Sequence, residues 1–152
     1  MLHISKSIHA VSIRIKITVY YNSAMKELTK TILFNMFRVV AFAILYAIFE
    51  VKFPFWKYMS DLEYRAYYFS VFFVAMATQD IRTWFANFFA SMTLEDVFYW
   101  VIKWEAPFQY AWYYPVLYHI PLVDIAGGTL AIFLYVAEIN IERFRSIIHS
   151  IL

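Results

Sequence analysis

Between Ile32 and Phe49 the chain runs for 18 residues with only Asn35 and Arg38 to interrupt an apolar stretch. Wound as a helix at ~1.5 Å per residue, such a run is about 27 Å long, close to the hydrocarbon thickness of a bilayer. No other feature narrows the fold as far, and composition agrees with it. Charged residues make up 16% of the 152, hydrophobic residues 63% and aromatic residues 22%, where soluble domains carry roughly a quarter charged. A globule of this size buries only about two-thirds of its chain's surface and needs polar side chains to cover the rest, and this chain has too few. These features predict an all-α integral membrane protein and argue against a disordered chain, a collagen-like repeat or an ordinary cytosolic enzyme.

Several chemistries are excluded by what is missing. With no cysteine, disulfides, Fe–S clusters, cysteine-ligated zinc and thiol catalysis drop out. The four histidines are His3, His9, His119 and His149, too scattered for a haem pair or an iron box. Only His119 lies beside the hydrophobic segments. No Walker loop or dinucleotide fingerprint is present, so no nucleotide cofactor is implied. The net charge of +2 gives no reason to expect nucleic-acid binding.

Along the chain, residues 1–30 form a polar, basic segment. Within it Val11–Val19 alternates apolar and polar residues with period two, which predicts a strand. A lone strand needs a partner, so the alternative is a stretch without fixed structure. Met25-Lys26-Glu27-Leu28 resembles a membrane-protein start, with the preceding 24 residues as an upstream extension. Residues 31–139 form the transmembrane domain. Residues 140–152 form an amphipathic tail, with Ile141, Phe144, Ile147 and Ile148 set against Glu142, Arg143 and Arg145.

Two divisions of the transmembrane domain compete. One has four spans: Ile32–Phe49, a short Ala66–Gln79, Thr83–Trp104 after a turn at Asp80-Ile81-Arg82, and a last span from Pro115 or Pro121 to Glu138. The other has three, with Ala66–Met92 as one helix and Thr93 capping an interfacial or re-entrant helix. Residues 50–65 and 105–120, rich in aromatic side chains, read as interfacial segments. Charge placement favours four spans with both termini cytoplasmic in a cell membrane. Lys6, Arg14, Lys16, Lys26, Lys30, Arg82, Arg143 and Arg145 then lie inside, and Lys52, Lys57, Arg65 and Lys103 outside.

Candidate chemistry sits in two places. Asn87, Ser91, Glu95, Tyr99 and Lys103 follow one another at i+4, so on a helix they form one polar stripe, with Asp96 beside it. An acid at membrane depth costs several kcal/mol unless it faces a bundle interior or a cavity. The second place is His119 to Gly128, where Asp124 precedes the only two glycines, Gly127 and Gly128. In the four-span arrangement Glu95, Asp96, Tyr99, His119 and Asp124 converge in the outer half of the bundle. Each has a plainer reading. Glu95 and Asp96 also suit the acidic first turn of a helix starting at Thr93, and His119 an interfacial position. Arg38 and Lys103 can reach towards headgroups, and the aromatics can face lipid.

One local likeness adds a possible chemistry. Thr93-Leu94-Glu95-Asp96-Val97-Phe98-Tyr99-Trp100 resembles the Pro-x-Glu-(Glu/Asp)-x-x-(Phe/Tyr)-(Phe/Tyr) motif of the heterodimeric-type lycopene cyclases, with Thr93 in place of the proline and Trp100 as the final aromatic. The resemblance implies Glu95 and Asp96 as acid–base residues acting on an isoprenoid, and an assembly of two domains. Three functions follow as expectations. The first is acid–base chemistry on a lipid or isoprenoid, with a variant in which the same oxygens and His119 hold Mg²⁺ or Mn²⁺. The second is a non-catalytic subunit of a larger membrane complex. The third is a proton or cation pathway. The bilayer is the expected surrounding, and a homo-oligomer or a membrane complex the expected assembly.

Overall fold

A computed structural model describes residues 2–104, 116–117 and 120–151. Among them the order of elements is α1 (Leu2–Lys52), a 3-10 turn (Phe55–Tyr58), α2 (Asp61–Ala75), α3 (Ile81–Lys103), a short hairpin and α4 (Leu122–Ile151). The hairpin pairs β1 (Val116–Leu117) antiparallel with β2 (Ile120–Pro121). The described residues are therefore all-α apart from four residues of strand. The aromatic segment 105–115, with Tyr110 to Tyr114, lies outside the described residues, as does His119.

The chain divides into two compact units, residues 1–34 with 137–152, and residues 35–136. In the first unit Arg143 Nε donates to Tyr21 Oη at 2.9 Å. Lys30 pairs with Glu27 at 2.6 Å and Arg145 with Glu142 at 2.5 Å. Such exposed pairs, screened by solvent, contribute little to stability. The period-two alternation at Val11–Val19 does not produce a strand: those residues are helical, inside α1. A strand leaves its backbone groups waiting for a neighbour, whereas a helix satisfies its own. β-branched residues cost a helix only up to about 0.7 kcal/mol each, too little to reverse that advantage. Likewise α1 runs unbroken past residue 30, and α4 past residue 140, so neither segment boundary coincides with a break.

In the second unit the helix boundaries follow the four-segment division. The chain breaks after Met76, and Thr93 lies in the middle of α3 instead of starting a helix. The capping signals sit elsewhere. Ser60 caps α2 in a reciprocal box with Glu63, the Ser-x-x-Glu arrangement that satisfies two free N–H groups at once. Asp80 caps α3, its carboxylate accepting from the Thr83 backbone N–H at 2.7 Å. Partial burial pushes the Asp80 carboxyl up, but the Thr83 hydrogen bonds and the Arg82 charge outweigh it and hold the group below its ordinary value. Trp104 ends α3 in the left-handed conformation, φ 59°. Pro121 lies in β2, just ahead of α4, and not in the helix's first turn.

The aromatic residues do not all face outward as the composition suggests. Phe72 is fully buried, with its ring 4.5 Å from Tyr68, 4.8 Å from Tyr46 and 5.1 Å from Phe42. Val39, Met76 and Phe88 complete this core. The contacts of Phe72 with Tyr46 and Phe42 are edge-to-face, and such pairs add about 0.5–1.5 kcal/mol each beyond burial. Trp84 ties α3 to α2 by donating to the Phe73 carbonyl at 2.7 Å. Arg38 joins α1 to the end of α2. Its Nη atoms donate to the carbonyls of Met76 and Ala77, at 2.9 and 3.2 Å, at the C-terminal end of α2.

Candidate functional site

The polar stripe of α3 is its buried face. Asn87 and Ser91 have no exposed surface and Glu95 retains 1%, while Phe37, Leu45 and Phe133 on other helices are 73%, 67% and 66% exposed. That polarity is the reverse of a water-soluble domain, where burial selects apolar groups. It is the order expected when the surroundings are themselves apolar. Two stretches, Tyr21–Lys52 and Leu122–Ile148, are long and apolar enough to cross a bilayer. Only 28% and 11% of their most apolar windows are covered by protein, so they are not core helices of a soluble fold.

Each stripe residue has a partner from another helix or from its own turn. Asn87 Nδ2 donates to Asn35 Oδ1 of α1 at 3.4 Å, and the Tyr135 hydroxyl of α4 donates to Asn87 Oδ1. Ser91 Oγ donates to the Phe88 carbonyl at 2.9 Å. Tyr68 of α2 donates to Glu95 Oε2 at 2.9 Å. Lys103 Nζ lies 5.3 Å from the centre of the Tyr99 ring, so it covers an aromatic face.

Four carboxyl groups gather around the lower stripe. Tyr64 donates to Glu50 Oε1. Glu50 and Glu95 are close enough for each to bear on the other's charge, and so are Asp96 and Asp124. Glu95 Oε1 and Asp124 Oδ2 are buried and receive no hydrogen bond. A cavity of about 860 Å³ opens on this group, lined by Glu50, Asp96, Tyr99 and Asp124 among mainly apolar and aromatic side chains such as Phe69, Phe89, Met92, Trp100 and Leu130.

α4 approaches α3 beside the cavity. A Cβ on Gly127 would lie 3.0 Å from Thr93 Oγ1, and one on Gly128 3.5 Å from Thr93 Cγ2. Thr93 Oγ1 in turn donates to the Asp124 carbonyl at 3.4 Å. Asp124 stands in the first turn of α4, where the helix dipole favours an acid, and it lines the same cavity as Asp96 of α3.

Of the five residues singled out from sequence, the structure brings Asp96, Tyr99 and Asp124 to one cavity wall. Glu95 sits behind that wall on Tyr68, and His119 is outside the described residues. Glu50, Tyr64, Tyr68 and Asn35 were not singled out. A signal for two of them was present: Asn35, Val39, Ala43, Ala47 and Glu50 fall at helical spacing on the buried face of α1. Small residues flanked by polar ones mark a face that another helix meets closely. Among the described residues no group of three or more histidines or acids is arranged to hold a metal ion; the Mg²⁺ or Mn²⁺ variant also calls on His119, which lies outside them.

The chain is 41% identical over 101 residues to a protein of Acidianus filamentous virus 2 (isolate Italy/Pozzuoli) named "Putative transmembrane protein ORF202". The match covers 66% of this chain and 50% of that protein, so the chain spans about half the length of its relative. No family model and no solved structure matches it. The inverted polarity, the two bare apolar helices and this relative agree. The chain is a membrane protein.

Proposed function

We propose that this membrane protein crosses the bilayer four times and holds an acid–base site for a lipid-like or isoprenoid molecule. The observation that carries this reading is the Asp96–Asp124 pair in the wall of a largely apolar cavity. A protonated carboxyl beside a second acid can lend its proton to a substrate atom and recover it there, the service a general acid performs. Apolar walls strengthen that transfer by excluding water. The lycopene cyclase-like stretch Thr93–Trp100 contains both Glu95 and Asp96, and only Asp96 lines the cavity, so Asp96 is the better proton donor. Tyr99 orients the reacting group and Glu95 with Glu50 supplies the charge behind it.

The test is a product search. Membranes holding the chain and an isoprenoid or a total lipid extract are compared by mass spectrometry with membranes holding Asp96→Asn. A converted species made only by the unaltered chain supports the reading, and identical profiles reject it. A second reading, a proton pathway, is favoured by the polar line Tyr135–Asn87–Asn35, Ser91, Glu95–Tyr68. It requires proton flux in sealed proteoliposomes that Glu95→Gln abolishes.

A further inference from the structure

The shape of the unmet hydrogen bonding in the cavity says what kind of head group fits. Asp124 is 7% exposed, lines the cavity and presents Oδ2 without a donor. Glu95, 1% exposed, presents Oε1 in the same condition behind it. Buried acceptors without donors cost about 1–3 kcal/mol each, and more when charged. What they need is an N–H or O–H. Among the described residues the wall carries acids at Glu50, Asp61, Asp96 and Asp124 and one basic side chain, Arg65, which Asp61 engages at 3.0 Å. A phosphate or carboxylate head would bring another anion against these groups and no donors, so it fits poorly.

We infer that the cavity takes an amphiphile whose head donates hydrogen bonds and carries no negative charge, a hydroxyl or an ammonium, seated on Asp124 and Asp96 with its chain along Phe69, Phe89, Met92 and Leu130. This rests on the reading of the cavity as a lipid-like site and narrows it to one head chemistry. The volume of about 860 Å³ is within the roughly 300–1,000 Å³ typical of small-molecule sites.

The experiment presents three single-chain probes, hexadecylamine, monoolein and oleate, to the full chain in detergent micelles and counts retained molecules by native mass spectrometry. The amine and the glyceride are expected to be retained, one per chain, and oleate not. Asp124→Asn weakens the amine by about tenfold or more, the size of one hydrogen bond to a charged group. Asp96→Asn does the same and serves if the first variant does not fold. Retention of oleate as strong as that of the amine overturns the head chemistry but leaves the lipid-like site standing. Retention of none of the three overturns both. Equal amine binding by both variants and the unaltered chain overturns the seating on these aspartates.

Discussion

A single hydroxyl holds Glu95 in place. Among the described residues Tyr68 supplies the one donor to that buried acid, and Oε1 has none. Tyr68→Phe leaves both oxygens without a donor while keeping the ring against Phe72. Hydrogen bonds between helices within membranes average about 0.6 kcal/mol, with a maximum near 1.7. The loss here should lie near the top of that range, about 1–2 kcal/mol, because the acceptor is an acid with nothing in reserve. Thermal unfolding in detergent measures it, with Tyr58→Phe as the control. Tyr58 is 90% exposed, so its change should stay within about 0.5 kcal/mol, and equal effects from the two would refute the special role of Tyr68. The stripe from Asn87 to Lys103 was legible in the sequence because periodicity is a property of one helix. Its partners Tyr68 and Glu50 were not, because a contact across helices depends on how segments pack, and Tyr68 is one of thirteen tyrosines.

Between elements, the two glycines are not equivalent. Replacing glycine by alanine within a helix gains about 1 kcal/mol in propensity. At Gly128 the new Cβ would meet Thr93 Cγ2 at an ordinary 3.5 Å, but at Gly127 it would crowd Thr93 Oγ1 at 3.0 Å, the atom bonded to the Asp124 carbonyl. Gly128→Ala should therefore raise the thermal midpoint. Gly127→Ala should raise it less or lower it, and should loosen the Asp124 end of α4. The reverse order would show that α3 and α4 do not meet closely at Thr93. That Asp124 would lie near small residues was readable from their adjacency. Which glycine faces α3 was not, since that depends on the rotation of α4. The helix breaks were half legible: Asp80 marked one turn correctly, while the Ser60 box was passed over in favour of a weaker one at Thr93.

For the whole molecule, membrane character was legible from composition alone, because an apolar exterior has to be written into most of the residues. Span number was harder to read. α2 has 15 residues, about 22 Å of helix against a hydrocarbon layer of about 30 Å, so it crosses only with its flanking residues or by thinning the bilayer. α3 is long enough at 23 residues, but its acids and Arg82 hide it from a hydropathy window. The absence of cysteine makes the four-span proposal easy to test. Lys57→Cys and Gln79→Cys, in sealed vesicles, should react with a membrane-impermeant maleimide from opposite faces. Reaction from one face would place α2 along the surface. The separation of a polar interior from a greasy shell has one further consequence. Residues such as Phe37, Leu45 and Phe133 face mostly the surrounding medium, whereas the register of the helices is written in the Asn35–Asn87–Tyr135 and Glu50–Tyr64 links. A water-soluble analogue would thus come from repainting the outside with lysine and glutamate, leaving every interior residue as it is.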